Sequence, residues 1–365
     1  MGGKQCARPF LPPLPPSILH PKNMTLLQRT LSLITDRIRT MPVLVLFPHS
    51  RCNCRCVMCD IWKGNDTLHE LSIEKIERHM DDIRRLGVRW VVLSGGEALM
   101  HSEIFALCRA FRREDIKVTI LSTGLLLKKW ASEIVETCSE VIVSLDGSPV
   151  VHDRIRHIPR AFDRLAEGVS AIKSIRSSFR IAARCVLQKL NFRDLPNIIT
   201  TAHKLGLDQV SFLSADVSSN AFNRAIPWDD ERVNTVALDA KEAEVFRETV
   251  DEVINDFETD FETGFIAESP DKLRRLVTYY DALLGRKTFP PVTCNAPWVS
   301  TVVEADGTVR PCFFHPPLGN IYEKPLEAIL NSNEAIQFRK QLDVSSDPIC
   351  QRCVCSLNMS PTAKV

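Results

Sequence analysis

The chain has 365 residues, 44% hydrophobic and 25% charged, with a formal net charge of +1. This is globular composition, long enough for a full core and more than one domain. The near-neutral charge gives no electrostatic footprint for nucleic acid, and no apolar run approaches the length of a membrane span.

The N-terminal stretch "MGGKQCARPFLPPLPPSILHPKN" has prolines where a secretory signal needs an apolar helix. Gly2 hints at acylation, but Cys6 stands where Ser or Thr is required. A cytoplasmic protein is expected, with Met24 an alternative start. Leu27, Leu31, Ile34 and Ile38 then repeat at helical spacing. From Met41 the pattern becomes strand, loop, helix, repeated. "VLVLF" (43–47) is a strand, and 71–87 is a helix with Ser72 as N-cap and Gly87 as stop. Strands at 90–94, 117–122, 140–146, 180–188 and 208–213 alternate with helices, among them 102–113, 161–175 and 194–205. Parallel neighbours need crossover helices, so the fold class is α/β with a parallel sheet. Six such units fit a partial barrel or an open doubly wound sheet, with the site at the C-terminal strand ends. After about 215 come a loop, an acidic helix near 239–258 and a helix near 269–285. A short β-rich, cysteine-bearing tail follows, with a predicted helix at 325–342. No long-period repeat is visible.

Thirteen cysteines without a secretory signal point to metal ligation or redox chemistry rather than structural disulfides. Cys6, Cys108, Cys138 and Cys185 are isolated and read as small core residues. Cys52, Cys56 and Cys59 form C-x3-C-x2-C directly after the first strand. Three thiolates on one loop can hold three corners of a [4Fe–4S] cluster and leave the fourth iron open to a small molecule. A structural zinc site is instead closed by four ligands. "SGGEALM" (94–100) follows the second strand, "STG" (122–124) the third, and "VSLDG" (143–147) with "HDRIR" (152–156) the fourth.

In this order, over roughly 43–215, these motifs resemble the radical SAM superfamily. The resemblance implies a partial (β/α)6 barrel whose cluster cleaves S-adenosylmethionine. The resulting 5′-deoxyadenosyl radical abstracts hydrogen from a substrate. It implies cofactor contacts from Gly95, Gly96 and Glu97, the last an acceptor for the cofactor ammonium. Ser144 and Asp146 are expected near the ribose, Arg156 near the cofactor carboxylate and Asn191 just past the fifth strand. Met58 stands where the family often has an aromatic residue, and Cys54 is an extra thiol with no role in the pattern.

Cys294, Cys312, Cys350 and Cys353 form a second four-thiol set, with Gly307 five residues before Cys312 and an Asp-Gly hairpin turn between. Spacing alone fits a zinc ribbon equally well. The arrangement is similar to the SPASM/Twitch tails of radical SAM enzymes, and its short cysteine set matches the single-cluster Twitch form better. That implies a second, auxiliary [4Fe–4S] cluster, with Cys355 able to replace Cys353.

The expected organisation is a lead and helix (1–41), a radical SAM core (42–215), a helical linker (216–288) and a small C-terminal β-hairpin/helix auxiliary-cluster domain (289–365). The expected function is oxidation or rearrangement of a small molecule in a biosynthetic pathway. An alternative is a ribosomal peptide maturase, although only about forty residues precede the barrel, fewer than a fused leader-binding domain needs. A second alternative is a non-catalytic metal-binding or redox-sensing protein. The expected partners are a reductase of flavodoxin or ferredoxin type and a small-molecule or peptide substrate. His101, His152 and His157 read as hydrogen-bonded or solvated rather than catalytic. Trp228 is expected to line the substrate cavity.

Overall fold

The computed structural model describes residues 21–224 and 226–363, so the expectations for Gly2 and Cys6 lie outside it. Six parallel strands follow the predicted alternation: β1 (Val43–His49), β2 (Trp90–Gly95), β3 (Lys117–Ser122), β4 (Glu140–Ser144), β5 (Arg180–Leu187) and β6 (Gln209–Ser214). Each pairs with its sequence neighbour, as in Val43 beside Trp90 and Val141 beside Ile181. Helices return the chain between them, and Val91, Leu93, Val118, Ile120, Val141 and Val143 are fully buried. Such apolar runs suit strands covered on both faces.

The sheet order runs β6 to β1 and then continues into the tail: β7 (Ser300–Val303), β8 (Thr308–Arg310) and β9 (Gly319–Asn320). β6 and β1 therefore do not close on each other, and the barrel is partial. β7 pairs parallel with β1, so the C-terminal hairpin extends the same nine-stranded sheet. The predicted Asp-Gly turn joins β7 to β8, and Gly307 adopts φ +85° there.

Local differences have local causes. The first helix stops at Thr35 and leaves Ile34 exposed, so Ile38, which is buried, does not share a helical face with Leu27 and Leu31. The helix expected over 71–87 breaks at His79, whose ring bonds the Ile321 carbonyl at 2.8 Å. The helix expected over 325–342 breaks where the Asn331 amide pairs with both backbone groups of Ile38, and Ser332 caps the next segment. A helix at Pro149–Arg156, unread in the sequence, carries the "HDRIR" stretch.

Candidate functional site

The C-terminal end of β1 opens into the loop that holds Cys52, Cys56 and Cys59. It is pressed against the Gly-Gly turn after β2. The Glu97 amide donates to the Arg51 carbonyl at 2.9 Å, and a Cβ on Gly96 would lie 2.1 Å from that oxygen. Gly95 adopts φ +97° with Phe47 beneath it. Only glycine permits both the turn and the contact. The Asn65 side chain closes the loop by pairing with both backbone groups of Cys52.

The thiols sit in an environment that neutral side chains alone make unfavourable for thiolates. Burial pushes the Cys59 thiol up to about 12 and also raises Cys52, and the Cys56 sulfur adds to both shifts. Cys56 runs the other way, down to about 7, because the Cys54 thiol and the Arg156 guanidinium favour its charged form. A bound cation would favour the charged forms of Cys52 and Cys59, and iron supplies one on ligation. The Ile61 amide donates to the Cys59 sulfur at 3.5 Å, and Arg156 Nη1 to the Cys56 sulfur at 3.4 Å. Cys54 is buried and bonded to Cys56, in keeping with its place outside the ligand pattern. Cys108, Cys138 and Cys185 are buried core thiols.

The other expected cofactor contacts are placed as follows. Gly95 and Gly96 line a cavity of about 590 Å³ beside the cysteine loop. Glu97 is fully buried and accepts from the Leu99 amide and from Ser122 and Thr123 of the "STG" stretch, at 2.6 to 3.2 Å. Burial raises its pKa. Ser144 ends β4 and is half-buried.

Asp146, Arg156 and Asn191, expected near the cofactor, are bonded to one another and to the strand-end backbone. Asp146 pairs with Arg156 in a buried ion pair and accepts from the Val186 amide. Asn191 spends its carbonyl on the Gln188 amide and its NH2 on the carbonyls of Asp146 and Val186. It clamps the ends of β4 and β5. His152 is fully buried against Asp146, and His101 bonds the Leu71 carbonyl at 3.0 Å. His157 is exposed.

Trp228 does not line the cavity. Its Nε1 donates to Asp60 at 2.6 Å and its ring lies under Arg224, which is itself paired with Asp216. This strap holds the linker against the cysteine loop. Phe47, Phe222, Phe313 and Phe314 form part of the cavity wall, and His49, His69, Arg224, Glu304, Asp306 and Arg310 add polar and charged groups to it.

In the tail, Cys350 lies within electrostatic reach of Cys294 and Cys312, and Cys353 within reach of Cys294, Cys312 and Cys355. Burial pushes Cys312 up to about 11 and Cys350 up to about 12. Cys294 accepts from the Ala296 amide at 3.5 Å, and Cys353 from the Cys355 amide at 3.4 Å. Cys355 itself is exposed. Sequence reasoning missed His315, which is buried with Nε2 3.3 Å from the Cys350 sulfur. The C-x2-H spacing after Cys312 was its only signal. It missed Arg310 too, which donates to the His315 carbonyl.

Comparison with known proteins agrees with this geometry. A profile of the radical SAM superfamily matches residues 46–202, and a SPASM iron–sulfur cluster-binding domain profile matches residues 294–354. The Fe-coproporphyrin III synthase of Methanosarcina barkeri is 25% identical over 88% of this chain and 84% of its own. The subtilosin biosynthesis protein AlbA of Bacillus subtilis is 26% identical over 77% of this chain, which spans only 58% of AlbA. Streptococcus suis SuiB with S-adenosylmethionine shares the fold at a TM-score of 0.63, with 16% identity over 91% of this chain and 78% of SuiB. The enzyme anSMEcpe, bound to AdoMet and a peptide, does so at 0.59, with 19% identity over 85% of this chain and 87% of that one.

Proposed function

From the premise that this chain belongs to the radical SAM superfamily and ends in a SPASM domain, we propose that it oxidises or rearranges a small molecule with a flat apolar body. It is an enzyme whose cofactors are S-adenosylmethionine, the cluster that binds it and an auxiliary iron–sulfur centre. When bound, these groups would supply reductive radical chemistry at S-adenosylmethionine and a store for an electron at the tail.

The chain's own residues do the positioning. Cys52, Cys56 and Cys59 would hold the first cluster, and Cys294, Cys312, Cys350 and Cys353 the second. The Gly-Gly turn brings backbone within reach of the cofactor's methionine end. Glu97 acts by fixing the "STG" stretch at the end of β3, and Asp146, Arg156 and Asn191 fix the β4 and β5 ends. The observation that carries the small-molecule reading is the cavity itself. It opens between the Gly-Gly turn and the tail, and four phenylalanines wall it with rings packed edge to face. The rings favour a planar face, and His49, His69, Arg224, Glu304, Asp306 and Arg310 on the same cavity suit polar or charged groups at its edge. The Methanosarcina relative, matched over most of both chains, is named for an iron coproporphyrin, a flat macrocycle. An external one-electron donor of flavodoxin or ferredoxin type would supply the reducing electron.

The second reading is peptide modification. Its support is AlbA, a bacteriocin biosynthesis protein, whose alignment covers 77% of this chain.

The test is anaerobic reconstitution, reduction with dithionite, and quantification of 5′-deoxyadenosine. The wild type is expected to release it and Cys56→Ala to release none. A wild type that binds iron yet leaves S-adenosylmethionine intact contradicts the proposal. Substrate dependence then separates the readings, because porphyrins and peptides would accelerate release selectively.

A further inference from the structure

Among the described residues, five cysteine sulfurs share one local geometry: the backbone amide two residues downstream faces the thiol. The pairs are Cys52 with Cys54, Cys59 with Ile61, Cys294 with Ala296, Cys312 with Phe314 and Cys353 with Cys355. Two expected ligands break the pattern, Cys56 and Cys350. Cys350 sits in the short helix Pro348–Gln351, and the next amides, of Arg352 and Cys353, both bond its carbonyl instead. Its sulfur is therefore left for side chains, Asp347 from its own turn and His315 from 35 residues away.

The placement of His315 is built. The residue is 4% exposed. Arg310 Nη1 donates to its carbonyl at 3.1 Å, and Phe338 packs edge-on to its ring with centroids 5.0 Å apart. Nε2 lies 3.3 Å from the Cys350 sulfur and 3.8 Å from Asp347 Oδ1, so sulfur is within hydrogen-bond reach and the carboxylate is not. Asp347 is already occupied in accepting the amides of Ile349 and Cys350.

We propose that His315 Nε2–H donates to the Cys350 sulfur and so sets the reduction potential of the tail cluster, as a positioning residue and not a ligand. The inference rests on the auxiliary-cluster reading above. A hydrogen bond to a ligating sulfur draws negative charge from the cluster and stabilises its reduced form. Removing the donor must shift the midpoint to more negative values.

The test uses the full chain with Cys52, Cys56 and Cys59 replaced by Ala, so that only the tail cluster is read. EPR-monitored reductive titration and iron analysis are made for this protein and for added His315→Leu and His315→Gln. The expected result is about four iron per chain, a midpoint shifted negative in His315→Leu, and a midpoint near that of the parent in His315→Gln, whose amide can still donate. If Leu loses iron but Gln keeps both iron and midpoint, the donor role stands. An unchanged midpoint in His315→Leu with iron retained overturns it. Iron lost from both variants overturns it as well, and makes His315 a ligand. Zinc in place of iron in the parent overturns it together with the auxiliary-cluster reading, which the metal analysis separates from a midpoint result.

Discussion

The cysteine loop and the tail solve the same problem with different charges. Each surrounds buried thiols with N–H donors, and in each one sulfur depends on a side chain from elsewhere. At Cys56 that side chain is Arg156, a full cation held by the buried carboxylate of Asp146. At Cys350 it is His315, held through its backbone and by Phe338. The loop presents three thiols beside the Gly-Gly turn, which borders the cavity, and in the proposed reading they would leave one corner open. The tail carries Cys294, Cys312, Cys350 and Cys353, the four ligands proposed for a closed site. In the proposed reading, the centre that takes an exchangeable ligand would rest on an ion pair within the barrel, and the closed centre on the His315 side chain at its edge.

Breaking the ion pair gives the larger effect. Arg156→Leu strands Asp146 in the core and is expected to cost about 3–5 kcal/mol of stability, measured by anaerobic urea unfolding. His315→Leu leaves no charge uncompensated and should cost clearly less. Equal costs would remove the distinction between the two regions.

Acid sharpens the comparison, because His152 packs against the same carboxylate's backbone. Burial holds its folded pKa at about 3, well below the usual value of 6.5. The unfolded chain therefore binds the extra proton first as pH falls. The stability held above pH 6.5 is lost progressively below it, until the folded pKa is passed. The loss at pH 5 is about 2 kcal/mol from this group. Unfolding midpoints compared at pH 7 and pH 5 should show it, and His152→Phe should flatten the slope.

The smallest effect belongs to Cys355. Its amide faces Cys353 while its own thiol is exposed. Cys355→Ser should leave iron content unchanged within error, whereas Cys353→Ser should lose tail iron. The reverse outcome would exchange their roles.

What the sequence made legible was local. The C-x3-C-x2-C run, the Gly-Gly-Glu turn and the strand ends that carry them depend on neighbours a few residues away. The hairpin turn before Cys312 is equally local. The supporting shell is not. Arg156 meets Cys56 across 100 residues of chain, and His315 meets Cys350 across 35. No spacing rule encodes such pairs, so Arg156 and Asn191 read as residues near the cofactor while their bonds to Asp146 and the strand-end backbone stayed hidden. The pairing of β7 with β1 was hidden for the same reason, since alternation predicts strands but not distant partners. Trp228 read as a cavity residue because its indole is large and apolar, yet its N–H binds Asp60.

The most direct test of two independent centres is iron and sulfide per chain after anaerobic reconstitution, in the wild type and in Cys52/Cys56/Cys59→Ala. Two four-iron sites predict about 8 iron falling to about 4. About 4 falling to none, with zinc in the tail, would contradict the auxiliary cluster, and no iron in the wild type would contradict the whole account.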